Sequence, residues 1–323
     1  MISGPSSYPP TVAEFLAHWA LVNTTLGAGN ELKLVDGELR SNVVTELEAL
    51  EALRDEVTDF GVNMAEARSN ISLLVVELQG RVVEFNRRVR ADLPGTSMER
   101  IVPVAFAIGD AEGTVRSVLR VMSRVWGKIN AMGNPPTGLT LPLSLMGGMT
   151  LTAFDAKREE LRLAYRAYGN AVVDLREARE RRNDKQDYLY ELLKEYRMKV
   201  PTRFPAEHAL VESLPRLTPA EGHTPDAVMA QGEWVAASLE ARVTWSESAE
   251  ATLVRYEVRA VPGDDYDPQD EQVVATVPAG GAREVLTNFA LATPGVTAGF
   301  KVVVVLATGN ERASTAVYVT RPV

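Results

Sequence analysis

The strongest constraint on this chain lies in its last third, where apolar and polar residues alternate with a period of two. Leu239, Ala241, Val243 and Trp245 form one such run, and Leu253-Val254-Arg255-Tyr256-Glu257-Val258-Arg259 forms a second. Further on, Leu291 precedes a Pro294-Gly295 turn. Phe300-Lys301-Val302-Val303-Val304-Val305 follows, and Gly309-Asn310-Glu311-Arg312-Ala313-Ser314 closes the pattern. Alternation of this kind places successive side chains on opposite faces of a strand, and a helix would scatter them round its axis. Strands are expected near 226–230, 238–245, 253–261, 272–277, 283–287, 299–308 and 314–320. Seven short strands separated by turn signals read as an antiparallel sandwich.

Over about Thr224 to Val323 these residues resemble a fibronectin type III domain. In that family a tryptophan on the second strand packs over a tyrosine on the third. A Leu…Pro-Gly turn leads into a strand whose first aromatic caps the corner, and an Asn…Ser turn joins the last two strands. The resemblance implies a sandwich core containing Trp245, Tyr256, Leu291 and Phe300. Phe300 stands where the family prefers tyrosine, so the corner hydrogen bond is expected to be missing. The chain has no Arg-Gly-Asp, which leaves integrin-type adhesion unsupported.

Upstream the period changes to steps of three and four. Thr11 to Leu26 reads as a short helix after Pro9-Pro10, with Thr11 able to cap it and Val12, Phe15, Leu16, Trp19 and Val22 on one face. Residues 27–40 read as loop. From Val43 to Val89 apolar residues recur through Leu47, Leu50, Leu53, Val57, Phe60, Met64, Ile71, Leu74, Leu78, Val82 and Phe85. That is a helix of about 70 Å at 1.5 Å per residue, the length of a coiled-coil arm, with Gly61 and Gly80 as soft points. Leu93-Pro94-Gly95-Thr96 stops it. A third helix is expected along Val104, Ile108, Ala111, Val115, Val118, Met122, Val125 and Ile129, and a fourth from Phe154 to about Lys199. In the fourth, Arg179, Arg182 and Gln186 occupy seam positions. Either the helix becomes solvent-exposed there, or the polar break sets register or meets another subunit.

The expected architecture is therefore multidomain, α plus β: an antiparallel long-helix bundle or coiled coil over 1–200, a proline-rich connector over 201–223, and the sandwich over 224–323. Pro201, Pro205, Pro215 and Pro219 exclude a continuing helix and suggest an extended, semi-rigid connector. A chain of 323 residues is long enough for two cores.

Composition narrows the chemistry. The hydrophobic share of 46% and charged share of 24% are those of a folded soluble protein. The arginine excess is of the kind GC-rich bacterial genomes produce. The net charge is −9, with 25 basic and 27 acidic residues in 1–200 and 9 and 16 in 201–323. Neither part so divided carries the excess that phosphate-backbone binding needs, so no nucleic-acid partner is expected. There are no cysteines, which excludes disulfides and thiolate chemistry. The first ten residues lack a basic segment followed by an apolar one, so the expected location is cytoplasmic, or outside the cell by a route without a classical signal.

No catalytic constellation is legible. The three histidines, His18, His208 and His223, lack metal-ligand spacing, and no nucleophile elbow, phosphate loop or dinucleotide fingerprint occurs. No catalytic, cofactor-binding or metal-ligating residues are assigned, and no enzyme activity is expected. The acidic stretch Asp264-Asp265-Tyr266-Asp267-Pro268-Gln269-Asp270-Glu271 has enough oxygens for calcium but not EF-hand spacing, and a solvated loop is the simpler reading.

Between Lys128 and Asp155 no residue is charged. Prolines and glycines in this stretch exclude a simple membrane-spanning helix, and membrane partnership is not expected. Its apolar residues Leu139, Leu141, Leu143, Leu145, Met146 and Met149 are the candidate subunit contact; the other outcome is that they fold back on the bundle. The functional expectation is a self-associating structural protein, building a ring, tube or filament as a homo-oligomer. The alternative is a helical stalk whose sandwich recognises a protein or glycan, and a weaker one is a helical pore-forming toxin.

Overall fold

The computed structural model describes residues 1–323 apart from Ser3, Ala220 and Glu221. About half the chain is helical, with a long helical region followed by an antiparallel sandwich. The helices are α1 (Tyr8–Leu26), α2 (Arg40–Asp92), α3 (Ser97–Arg100), α4 (Glu112–Asn130), α5 (Leu151–Lys199) and α6 (Ala209–Glu212). The strands are β1 (Ala230–Val235), β2 (Glu240–Trp245), β3 (Leu253–Pro262), β4 (Gln272–Pro278), β5 (Glu284–Thr287), β6 (Thr297–Leu306), β7 (Glu311–Ala313) and β8 (Val317–Thr320).

Two compact units divide the chain. One comprises Met1–Glu66 with Ala171–Val323, the other Ala67–Asn170. This division falls inside α2 and α5 and not in the proline-rich segment, because each long helix contributes to two separate cores.

In the first unit the N-terminal half of α2 runs antiparallel to the C-terminal half of α5. Val43 and Leu50 share a core with Leu189, Leu193 and Tyr196, and Val57 packs with Leu175 and Ala178. α1 closes the first of these cores with Phe15 and Trp19, the latter 4.8 Å from the Tyr196 ring. The proline-rich segment is not extended or free. Phe204, Leu210, Val211, Leu214 and Leu217 pack on the same core, Pro215 is buried, and the Pro215 carbonyl accepts from Arg197 Nη1 at 2.5 Å. Proline stops the helix, but the apolar residues between the prolines still need cover, and α1 and α5 supply it.

The sandwich belongs to the same unit. Its sheets are β1-β2-β5 and β4-β3-β6-β7, with β8 also pairing β6. Trp245, Tyr256, Leu291 and Phe300 are all buried between them, the Trp245 and Tyr256 rings 5.6 Å apart. Among the described residues there are eight strands, where seven were expected. The added strand, β7, precedes the expected 314–320 run, of which only Val317–Thr320 forms a strand; Ser314 follows β7, its hydroxyl accepting from Val302 N at 3.0 Å while its own N–H donates to the Val302 carbonyl at 2.9 Å. The first strand begins at Ala230, later than the alternation suggested.

The second unit packs α2 from Ile71 onward, α4 and the start of α5 round Phe85, Trp126 and Phe154. α4 starts eight residues later than the Val104 stripe implied. Pro103 and Gly109 break the helix, and residues 102–107 run without regular structure beside α2, held by Gln79 Nε2 to the Phe106 carbonyl (2.9 Å) and Asn86 Nδ2 to the Pro103 carbonyl (2.6 Å). Val104 and Ile108 are consequently exposed.

Candidate functional site

The polar feature that most distinguishes the first unit begins on β3. Arg255, Glu257 and Arg259 alternate with inward-facing Tyr256, Val258 and Ala260, so period two alone would put all three in water. Glu257 and Arg259 are buried instead. Arg259 donates to Glu257 Oε2 (2.7 Å), Glu271 Oε1 (2.8 Å) and Glu311 Oε2 (2.6 Å). Burial alone would lower its pKa; the Glu311, Glu271 and Glu257 carboxylates more than offset this and raise it. Burial likewise pushes Glu257 up, but Arg259 and Arg255 hold it below the usual carboxylate value. Tyr266 OH donates to Glu271 Oε2 at 3.1 Å, and its ring carries the Lys301 ammonium at 4.2 Å.

A second node adjoins the first. Asp270 accepts from Arg179 Nε and Arg182 Nη1, both at 2.7 Å, and Arg182 Nη1 also donates to the Gln269 carbonyl at 2.6 Å. The Arg182 side chain is 2% exposed and that of Asp270 7%. Two of the three polar seam residues of α5, Arg179 and Arg182, therefore meet the acidic loop between β3 and β4, the Arg179 side chain staying 35% exposed, while Gln186 is buried. The same contact overturns the reading of that loop as solvated at Asp270 and Glu271.

α2 supplies a third attachment. Arg54 Nη2 donates to the Glu271 carbonyl at 3.2 Å, and Gln272 Nε2 donates to the Thr58 hydroxyl. One turn on, a β-carbon at Gly61 would stand 3.1 Å from Pro262 Cγ, so glycine here admits the end of β3 against the helix. A cavity of about 660 Å³ opens beside these groups, lined among others by Glu14, Glu51, Arg54, Asp55, Arg255, Glu257 and Glu311. Guanidinium groups occupy the Glu257 and Glu271 carboxylates, so the cluster binds its own elements together and holds no free base.

The other expected residues lie elsewhere. Leu139, Leu143 and Leu145 are buried in the core of the second unit, and Leu141 and Met149 are partly buried against it. Trp126 Nε1 donates to the Leu143 carbonyl at 3.1 Å, and Leu143 N donates to Asn130 Oδ1 at 2.8 Å. The uncharged stretch thus folds back on its own helices, and only Met146 of the six is exposed, at 76%. The histidines are not brought together. His18 is bonded to Tyr196 and Leu210, His208 stacks on Phe204, and His223 pairs with Glu250. Among the described residues no cluster of three or more His, Asp or Glu side chains could hold a metal ion, and no helix is long and apolar enough to cross a membrane.

No family profile and no curated protein matches the chain. Its similarities to solved structures concern the C-terminal third. A fibronectin type III-like protein from Clostridium thermocellum is 16% identical, with 31% of this chain and 97% of that one covered at a TM-score of 0.25. The sixth fibronectin type III domain of human fibronectin type III domain containing protein 3 is 20% identical, covering 32% and 92% at 0.25. Pectate lyase PelI from Erwinia chrysanthemi, in complex with tetragalacturonic acid, is 20% identical over 29% of this chain at 0.24, and the chain spans 28% of its length. The C-terminal third is a sandwich of the fibronectin type III kind, and no family profile matches the helical part.

Proposed function

We propose that this chain is a non-enzymatic structural subunit that associates with copies of itself, its long helices paired as a coiled coil and its sandwich serving as a contact module. The observation that supports this reading best is the buried Arg182–Asp270 pair beside the Arg259, Glu257, Glu271 and Glu311 cluster of the sandwich, which with the Arg54 bond to the Glu271 carbonyl ties the sandwich to α5 and α2. A display module on a stalk works by swinging on a linker; here the proline-rich segment is packed and the sandwich is held by desolvated charges. Such a unit suits the transmission of force or the maintenance of spacing in an assembly. Sedimentation velocity and negative-stain microscopy of the full chain test the reading. Ordered oligomers, tubes or filaments support it, and a monomer at all concentrations and ionic strengths refutes it. A second reading, recognition of a protein or glycan, draws on the 660 Å³ cavity with its mixed charges. A glycan or peptide array probed with the full chain, followed by Arg255→Ala, separates it from the first.

A further inference from the structure

The two units carry opposite charge. Residues 67–170 contain 14 basic and 9 acidic side chains, a net of +5, and the remainder of the chain contains 20 and 34, a net of −14. Dividing the chain at residue 200 hides this, because the helical region contains one basic and one acidic part.

In each unit part of this charge lines one helix face. On α4 no acidic residue follows Glu112, and Arg116, Arg120, Arg124 and Lys128 recur every four residues, all exposed. They lie opposite the buried face of Val115, Leu119, Met122, Trp126 and Ile129. Arg116 has Glu112 at 2.9 Å, but Arg120, Arg124 and Lys128 have no ion-pair partner among the described residues. This ridge is about 18 Å long at 1.5 Å per residue. On α2, Glu48, Asp55 and Asp59 form an exposed acidic ridge about 16 Å long, with Glu51 at its edge and both Asp55 and Glu51 in reach of the Arg54 charge. Glu48 and Asp59 have no ion-pair partner among the described residues.

We infer that the basic ridge of α4 docks on the acidic ridge of α2 in a second copy of the chain, an inference that rests on the self-association proposed above. The ridges are opposite in sign and similar in length, which is the complementarity that steers encounter and fixes register between partners. A polyanion would also meet the α4 ridge, but the −14 of the rest of the chain repels it, whereas a second copy brings that same charge as its partner surface. The two patches differ, so the contact is heterologous and leaves one patch of each sign for further addition.

The test uses the full chain and reciprocal charge reversal. Association of the wild type is expected to weaken by on the order of tenfold as the Debye length shrinks from about 10 Å at 0.1 M salt to about 3 Å at 1 M. Arg120→Glu/Arg124→Glu/Lys128→Glu and Glu48→Lys/Asp55→Lys/Asp59→Lys should each be monomeric, and an equimolar mixture of the two should restore complexes. Should the second triple variant misfold by circular dichroism, Glu48→Gln/Asp55→Asn/Asp59→Asn takes its place, with weakened association as the expected result. Salt-insensitive assembly that survives both reversals overturns this interface and leaves self-association standing. A wild type that is monomeric at all salt concentrations refutes self-association itself. If it then binds heparin or phosphatidylserine vesicles through Arg120, Arg124 and Lys128, the ridge serves an anionic ligand and the inference fails.

Discussion

Replacing Asp270 by alanine removes the carboxylate between two guanidinium groups and tests whether the clamp carries the attachment of the sandwich. The Arg179 side chain, 35% exposed, can recover water, so its loss is small. Arg182 cannot: it is 2% exposed and keeps only the Gln269 carbonyl and the Asn183 side-chain oxygen, the latter at 3.0 and 3.2 Å. Removing one partner of a buried pair costs about 3–5 kcal/mol, because the remaining charge stays desolvated. The two retained hydrogen-bond acceptors place Asp270→Ala near the lower end, at about 3 kcal/mol. Arg182→Met combined with Asp270→Leu removes both charges and should lie within about 1 kcal/mol of the wild type, since an apolar pair needs no compensation. Urea denaturation followed by tryptophan fluorescence and far-ultraviolet circular dichroism measures Asp270→Ala and the four corners of the cycle: wild type, Arg182→Met, Asp270→Leu and the double variant. A loss below about 1 kcal/mol for Asp270→Ala, the value of an exposed pair, or strict additivity of the two single changes, would refute the clamp.

Trp245→Ala should cost about 3–5 kcal/mol, as truncation of a core aromatic does, and should be read as loss of the sandwich transition in urea. Leu143→Asp with Leu145→Asp should unfold the second unit and not merely dissolve an oligomer, because both side chains are core; intact helical dichroism in the double variant would contradict this. Acidification should weaken the packing of α1 on α5. The Leu210 carbonyl requires a proton on His18 Nε2, so Nδ1 accepts from Tyr196 OH at 2.7 Å and the ring is held neutral. Burial lowers its pKa, against weaker opposition from Leu210 and Glu14. The unfolded chain therefore takes up the proton first: this contribution is fully present above the unfolded value of about 6.5 and declines as pH falls through the lowered folded value. His18→Gln should flatten the stability profile below neutral pH, and an unchanged profile would exclude His18 as its source.

What the sequence determined was local. The change of period from three-and-four to two separates helices from strands because it follows from backbone geometry alone, and Trp245, Tyr256, Leu291 and Phe300 lie together in the sandwich core. Strand ends were less legible, since β7 and the Ser314 that follows it are held by hydrogen bonds to β6, earlier in the chain. Long-range attachment was not legible. Arg182 and Asp270 are 88 residues apart, and each read by itself belongs in water; only the fold places one against the other, where neither retains enough solvent to stand alone. The same holds for Leu139, Leu143 and Leu145, whose lack of charge signalled burial but not which surface would cover them. The charge of the units was invisible for a related reason. Net charge is a sum over neighbours in space, and the fold takes 67–170 as one neighbourhood and returns the end of the long helix α5 to the beginning of α2. Periodicity sets which face of an element is apolar; tertiary structure alone decides what covers it, because a polar or apolar face costs or gains free energy only against the surface it meets.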